Sequence, residues 1–171
     1  MSSLGRYLTI RRGTAVRRFH TVPILIEETV GHHSCNLATL LWTLTNGEVR
    51  KELLLGAVMH DVPEHITGDI PSPMKRMVSG LLNEVEAVVF QDIGFNVEDL
   101  STEENLLFRI ADVLDLMFKV REELSLGNRP VQEIFDRAHE YAHETLVEYK
   151  KVSSKYLDNI TMFMEYLNDG Q

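Results

Sequence analysis

The residues best suited to chemistry gather within one stretch of 23 positions, LLLGAVMHDVPEHITGDIPSPMK, residues 53–75. An apolar run delivers His60 and Asp61 side by side, and Glu64, His65, Asp69 and Lys75 follow. Neighbouring side chains on a helix diverge by about 100°. A His-Asp pair therefore grips one ion most easily at a helix end, where both side chains can turn inward. Pro63 suits a break at that point, and the Gly-Asp-Ile-Pro-Ser-Pro segment marks a loop. Two residues elsewhere complete the set. His33 precedes Leu37 by four on a predicted helix, near its inward face. Asp112 lies at the margin of an apolar stripe, where an unpaired carboxylate would be costly. Two imidazoles and two carboxylates suit a borderline divalent ion such as Mn²⁺, Co²⁺, Fe²⁺ or Zn²⁺. Four ligands from three helices leave positions open for water and a phosphate oxygen, as hydrolysis requires.

A rival constellation is His139-Glu-Tyr-Ala-His143, a literal HExxH. That pattern places two histidines one helical turn apart, as in zinc proteases. Here the apolar stripe is Val131, Ile134, Phe135, Ala138, Tyr141, Ala142 and Leu146. His139 and His143 fall instead with Gln132, Asp136 and Lys150 on the polar side. A solvated helix face explains them better than a catalytic cleft.

The elements that must position these residues are helical. Apolar residues recur at three- and four-residue spacing over 30–45 (Leu37, Leu40, Leu41, Leu44). A second helix covers about 48–61. Residues 73–92 read as one amphipathic helix, with Met74, Met77, Val78, Leu81, Leu82, Val85, Val88 and Val89 on its stripe. Gly94 ends it, and residues 95–100 form a loop. Ser101 and Glu104 fit a capping box that opens a helix to about 127, with Leu107, Ile110, Ala111, Leu114, Met117, Phe118 and Leu124 inward. In that helix Asp115 and Lys119, four apart, read as a surface ion pair. Helices over 130–150 and 153–168 complete an all-α domain of about six helices. Residues 1–16 lack periodicity and read as a solvated basic arm; residues 1–28 carry five arginines.

The bulk numbers set the class. A chain of 171 residues fits a single domain. Its 44% hydrophobic and 25% charged content are ordinary for a globular protein. The net charge of −9 argues against binding a nucleic-acid polymer. The single cysteine, Cys35, cannot pair within the chain, which points to a reducing, cytoplasmic setting. No apolar run approaches a membrane span.

H…HD…D resembles the ligand pattern of the HD-domain metal-dependent phosphohydrolases, and the likeness extends well beyond four residues. Arg18-Phe19, with Thr29-Val30-Gly31-His32-His33-Ser34, resembles the arginine-aromatic pair and the T/N-V-x-E-H-S segment of the HD-domain 5′-deoxynucleotidases. His60-Asp-Val-Pro-Glu64…Thr67-Gly-Asp69-Ile-Pro-Ser-Pro-Met-Lys75 resembles their HD-x-x-E-x-x-T-G-D-[LI]-P-[ST]-P-x-K block. Ala111-Asp112…Lys119-Val-Arg-Glu-Glu-Leu-Ser-Leu-Gly-Asn128 resembles A-D…K-x-x-E-E-x-x-x-G-N. The match covers residues 18–128 in order. One departure is His32, which stands where the family has glutamate and is given no role. Compact members of this type include phage enzymes that hydrolyse dATP to deoxyadenosine and triphosphate, and the short length here is compatible with them.

The resemblance implies a hydrolase that cuts the 5′ phosphoester of a deoxynucleotide, releasing phosphate or triphosphate. His33, His60, Asp61 and Asp112 would hold the metal. Glu64 and Asp69 would assist catalysis, and Asp69 would also hold the sugar hydroxyl. Arg18 would clamp phosphate, Lys75 and Lys119 would neutralise further charge, and Phe19 would stack on base or sugar. Were Arg18 and Phe19 on an extended segment, their side chains would point to opposite sides. The resemblance also implies a homo-oligomer. Two other readings share the metal core: a phosphodiesterase of cyclic nucleotides or alarmones, which the T-G-D-I-P-S-P block disfavours, and a non-catalytic HD module, which would have lost a ligand or the nearby acid.

Overall fold

The computed structural model describes residues 1–96 and 100–169, with only the backbone of Ser72. Residues 97–99 of the expected 95–100 loop fall outside the described residues. The fold is all-α: α1 (Ser3–Thr14), α2 (Val30–Leu44), α3 (Lys51–Met59), α4 (Glu64–Thr67), α5 (Ser72–Met77), α6 (Ser79–Ile93), α7 (Thr102–Ser125), α8 (Gln132–Val152) and α9 (Leu157–Asn168). A 3-10 turn, Arg129–Val131, precedes α8. Among the described residues the extended backbone amounts to one antiparallel bridge, between Arg17 and Thr29.

The long helix α7 is the axis of the core, packing against α2, α3, α8 and α9. Its start is fixed as its sequence requires. Ser101 Oγ accepts from the Glu104 amide at 3.2 Å, and the Glu104 carboxylate accepts from the Ser101 amide at 2.8 Å. The anticipated stripe is inward: Leu107, Ile110, Ala111, Leu114, Met117 and Leu124 are all buried. On α2, Leu37, Leu41 and Leu44 face the same core, and Thr29 caps the helix start.

Two elements depart from expectation. Residues 3–14 form a capped helix rather than a loose arm, with the Ser2 hydroxyl accepting from the Gly5 amide. No apolar periodicity announces it because it docks largely through glycine. A Cβ placed on buried Gly13 would lie 2.7 Å from the Val62 carbonyl oxygen and 2.8 Å from Val62 Cα. A Cβ on Gly31 would lie 3.0 Å from the Thr14 carbonyl oxygen. The basic helix therefore sits directly behind the turn that follows His60 and Asp61. The second departure is in residues 73–92, which are two helices broken at Val78, where φ is −117° and ψ 19°. The break turns α5 relative to α6, so Met74, Met77, Leu81 and Val88 are exposed. Val89 and Ile93 pack with Val62 in a small second cluster.

Because the atoms facing Gly13 are backbone, Gly13→Ala must displace the chain at Val62. Overpacking of this kind costs ~1–3 kcal/mol, which urea unfolding of the variant will show as a lowered midpoint.

Candidate active site

Helices α2, α3 and α7 bring four candidate ligand residues together: His33, His60 and Asp61 form a cluster that could hold a metal ion, and Asp112 approaches it through His33. His33 sits in the first turn of α2, His60 at the end of α3, Asp61 one residue beyond, and Asp112 on α7. His33 Nε2 lies 3.3 Å from His60 Nε2, 3.7 Å from Asp61 Oδ2 and 3.3 Å from Asp112 Oδ1. His60 Nε2 is 3.1 Å from Asp61 Oδ2. Nitrogen and oxygen ligands about 2 Å from a shared ion stand roughly 3–3.5 Å apart, so the donor set fits a borderline divalent ion.

The far nitrogen of each imidazole is held. His60 Nδ1 donates to the Ala57 carbonyl at 3.0 Å, and His33 Nδ1 donates to Asp115 Oδ2 at 2.6 Å. Since a carbonyl or carboxylate can only accept, each Nδ1 keeps its proton, and Nε2 is the nitrogen that each ring turns toward the centre, where a bound cation would take the place of any proton it carries. Burial alone would lower the pKa of His33. The hydrogen bonds to Asp112 and Asp115 overcome that and hold it at about 9. Acids on both sides of a buried ring make this a centre that attracts positive charge. Asp61, in spite of its burial, is held below the usual carboxylate range by His60, Lys75 and His33.

Beside the ligands lies an acid with a free oxygen. Glu64 Oε1 accepts from Lys75 Nζ at 2.9 Å, while Glu64 Oε2 is buried with no hydrogen-bond partner among the described residues. Burial and the charge of Asp61 push this carboxyl up to about 7, against the pull of Lys75. A group titrating near neutrality can both hold and release a proton under working conditions. A small cavity of about 20 Å³ is lined by His60, Asp61, Glu64, Lys75 and Glu86, room for about one water. A larger cleft of about 420 Å³, between the start of α7 and the end of α8, contains none of His33, His60, Asp61 and Asp112.

Asp69 is 50 residues from Phe19 in sequence and joined to it in space: the Phe19 amide donates to Asp69 Oδ2 at 2.8 Å. Phe19 has a left-handed backbone, φ 58°, rather than an extended one. The Arg18 guanidinium lies over the Phe19 ring, 5.3 Å from its centroid. The two side chains thus share a side, contrary to the opposite orientation expected of an extended segment. Arg18 Nη1 is held by Glu28 at 2.7 Å and approaches Asp115 at 3.7 Å.

Two sequence readings are corrected. Asp115 and Lys119 are not a surface pair, for both are buried. Asp115 orients His33, and Lys119 Nζ donates to the Ile26 carbonyl at 2.7 Å and to Glu123 Oε1 at 3.0 Å. Lys119 is thereby a brace for the loop before α2 rather than a phosphate ligand. Asp115, Glu28 and Glu123 are the functional residues that sequence reasoning missed. For Asp115 and Glu123 the signal was the spacing 112, 115, 119, 123, which places four polar side chains on one side of α7; Glu28 lies outside that helix and shares no such spacing. As anticipated, the HExxH histidines lie toward solvent on α8: His143 is exposed and His139 half-buried. His32, at the family's glutamate position, is exposed as well.

The family described as 5′-deoxynucleotidase YfbR-like matches residues 7–91. A 5′-deoxynucleotidase of Enterobacter sp. (strain 638) is 32% identical over 150 residues, covering 73% of this chain and 72% of the relative. The 5′-deoxynucleotidase YfbR of Escherichia coli is 31% identical over the same span. The chain belongs to the YfbR-like 5′-deoxynucleotidase family. Its fold recurs in two solved structures. One is the cyanophage S-2L HD phosphohydrolase DatZ, bound to dA and one catalytic Zn²⁺. It has a TM-score of 0.70 at 17% identity, over 95% of this chain and 96% of that one. The other is the PH0347 protein of Pyrococcus horikoshii OT3, with a TM-score of 0.68 at 23% identity, over 98% and 99%. This member of the YfbR-like family thus keeps the HD fold and a histidine–aspartate cluster able to hold a divalent metal.

Two measurements check the network around the ligands. Asp115→Ala touches no ligand atom of the proposed centre, yet it frees His33 Nδ1. Metal affinity should fall by ~10–100-fold, read by competition with a chelator, while Asp112→Ala should remove the ion altogether. The second concerns Glu123. Burial would raise its carboxyl, but hydrogen bonds from the Leu25 and Ile26 amides, Asn128 and Lys119 bring it down to about 2. A carboxyl depressed by folding stabilises above its unfolded pKa, and that contribution is lost as pH falls. About 3 kcal/mol should disappear as the pH falls from 4.5 to 2. In Glu123→Gln the slope of unfolding free energy against pH should flatten over that window.

Proposed function

We propose that the chain is a single catalytic domain that hydrolyses deoxynucleoside 5′-monophosphates to deoxynucleosides and orthophosphate. The observation carrying this reading is the convergence of His33, His60, Asp61 and Asp112, with the unpartnered Glu64 oxygen beside them. The monophosphate is favoured because the relatives at 30% identity and above are named 5′-deoxynucleotidases.

A bound divalent ion supplies a water of lowered pKa and polarises a phosphate oxygen. The chain's own residues do the rest. Arg18, with one nitrogen fixed by Glu28, offers its remaining N–H groups to the phosphate. Phe19 packs against the nucleoside, and Asp69 accepts from a sugar hydroxyl through the oxygen that Phe19 does not use. Lys75 holds Glu64 Oε1, which leaves Oε2 to manage the proton. Water attacks phosphorus and the phosphorus–O5′ bond breaks; the electron pair left on O5′ takes a proton from Glu64, and the Glu64 carboxylate is reprotonated by the proton that the attacking water gives up. Association of identical copies belongs to this reading, supported by exposed Met77, Leu81 and Val88 at 82%, 63% and 57%; light scattering tests it. A cytoplasmic setting is supported by the lone free thiol of Cys35. No helix of the described residues is long and apolar enough to cross a membrane.

The test is a panel of deoxynucleoside mono- and triphosphates beside ribonucleotides, with the inorganic product identified. Orthophosphate from the monophosphates is the expected result, and free triphosphate from dATP would replace the reading with a triphosphohydrolase. Glu64→Gln should keep its metal and lose at least ~10²-fold in kcat. An unchanged kcat would remove Glu64 from proton transfer.

A further inference from the structure

We propose that His139 and His143 form an accessory site for a borderline divalent transition ion such as Cu²⁺, Ni²⁺ or Zn²⁺ on the outer face of α8. The two residues are one helical turn apart and their side chains meet. Nε2 of one ring lies 3.1 Å from Nε2 of the other, with ring centroids 4.4 Å apart and planes at 73°. Two imidazole nitrogens each about 2 Å from one ion stand roughly 3 Å apart. The pair therefore already has the bite of a chelate. His139 is steadied by stacking on Phe135, the rings 6.3 Å apart and 16° from parallel.

Protonation works in the same direction. Two nitrogens this close cannot both carry a proton. Burial, His139 and Lys150 each lower the pKa of His143. Among the described residues, neither ring forms an ion pair with a carboxylate. A neutral imidazole with an exposed lone pair is what a transition ion takes up. The location decides the chemistry. Neither ring lines either of the two cavities described above, so neither cavity holds a peptide against the pair. Water would complete the coordination, which makes the ion exchangeable and its affinity lower than at a closed four-ligand centre. For divalent ions on nitrogen ligands the order of preference is Cu²⁺ over Ni²⁺ and Zn²⁺. Because such an ion would bridge a turn of α8, its binding would also raise the melting temperature of the folded chain.

The experiment uses the protein with its catalytic metal already loaded. Calorimetric titration with Ni²⁺, and electron paramagnetic resonance with Cu²⁺, are run on wild type, His143→Gln and the His139→Ala, His143→Ala double variant. Wild type should take up one further ion per chain, with a copper spectrum showing two nitrogen ligands. Both variants should lose that ion while keeping catalytic metal content, melting temperature without added metal, and phosphate release. A wild type that binds no further ion at millimolar Ni²⁺ overturns the proposal. So do variants whose extra binding is undiminished, since the ion would then sit elsewhere on the acidic surface.

Discussion

The site depends first on a buried contact of 2.6 Å between His33 Nδ1 and Asp115 Oδ2. It joins α2 to α7 where both are in the core, and neither partner is stable there without the other. An unpaired carboxylate at that depth is costly, and a free imidazole could present either nitrogen to the centre. Asp115 is itself approached by Arg18, which Glu28 holds. The chain of contacts runs from the loop before α2, through two acids, to the ring that faces Asp61 and Asp112. Fold and chemistry meet in it, because the contact that orients the ring also clamps two helices together.

This explains why some features were legible and others not. Leu37, Leu41 and Leu44, or Leu107, Ile110 and Leu114, reveal themselves by period, since an apolar face must repeat as the helix turns. The four candidate ligand residues reveal themselves by chemistry, since His60-Asp61 at the end of an apolar run has no packing purpose. Helix α1 does neither. It is held through Gly13 and Gly31, where the absence of a side chain is the feature that matters, and absence makes no pattern. Asp115 and Lys119 misled for another reason. Four-residue spacing of opposite charges is the same whether a pair faces water or the core, and only the loop packed over them decides which.

That loop is itself held by α7. Glu123 accepts the amides of Leu25 and Ile26, and Lys119 donates to the Ile26 carbonyl. Asn128, just beyond the helix, donates to Pro23. The segment carrying Arg18 and Phe19 is thus pinned at its far end by α7 and near its start by the Asp69 carboxylate. Its position over the ligand cluster is set by side chains distant in sequence rather than by its own conformational preference.

Helix α7 consequently acts as a ruler. Asp112 faces the ligand cluster, Asp115 braces it, and Lys119 and Glu123 fix the loop that covers it, all from one side of a continuous helix. A helix advances about 1.5 Å and turns about 100° per residue. Inserting or deleting a single residue between 112 and 123 would carry the far marks round by more than a quarter turn, separating the loop from the cluster. Over these twelve positions the chain can exchange outward-facing side chains freely but cannot change its length. A change in chain length can therefore be absorbed only outside these positions, as in the connection that precedes α7.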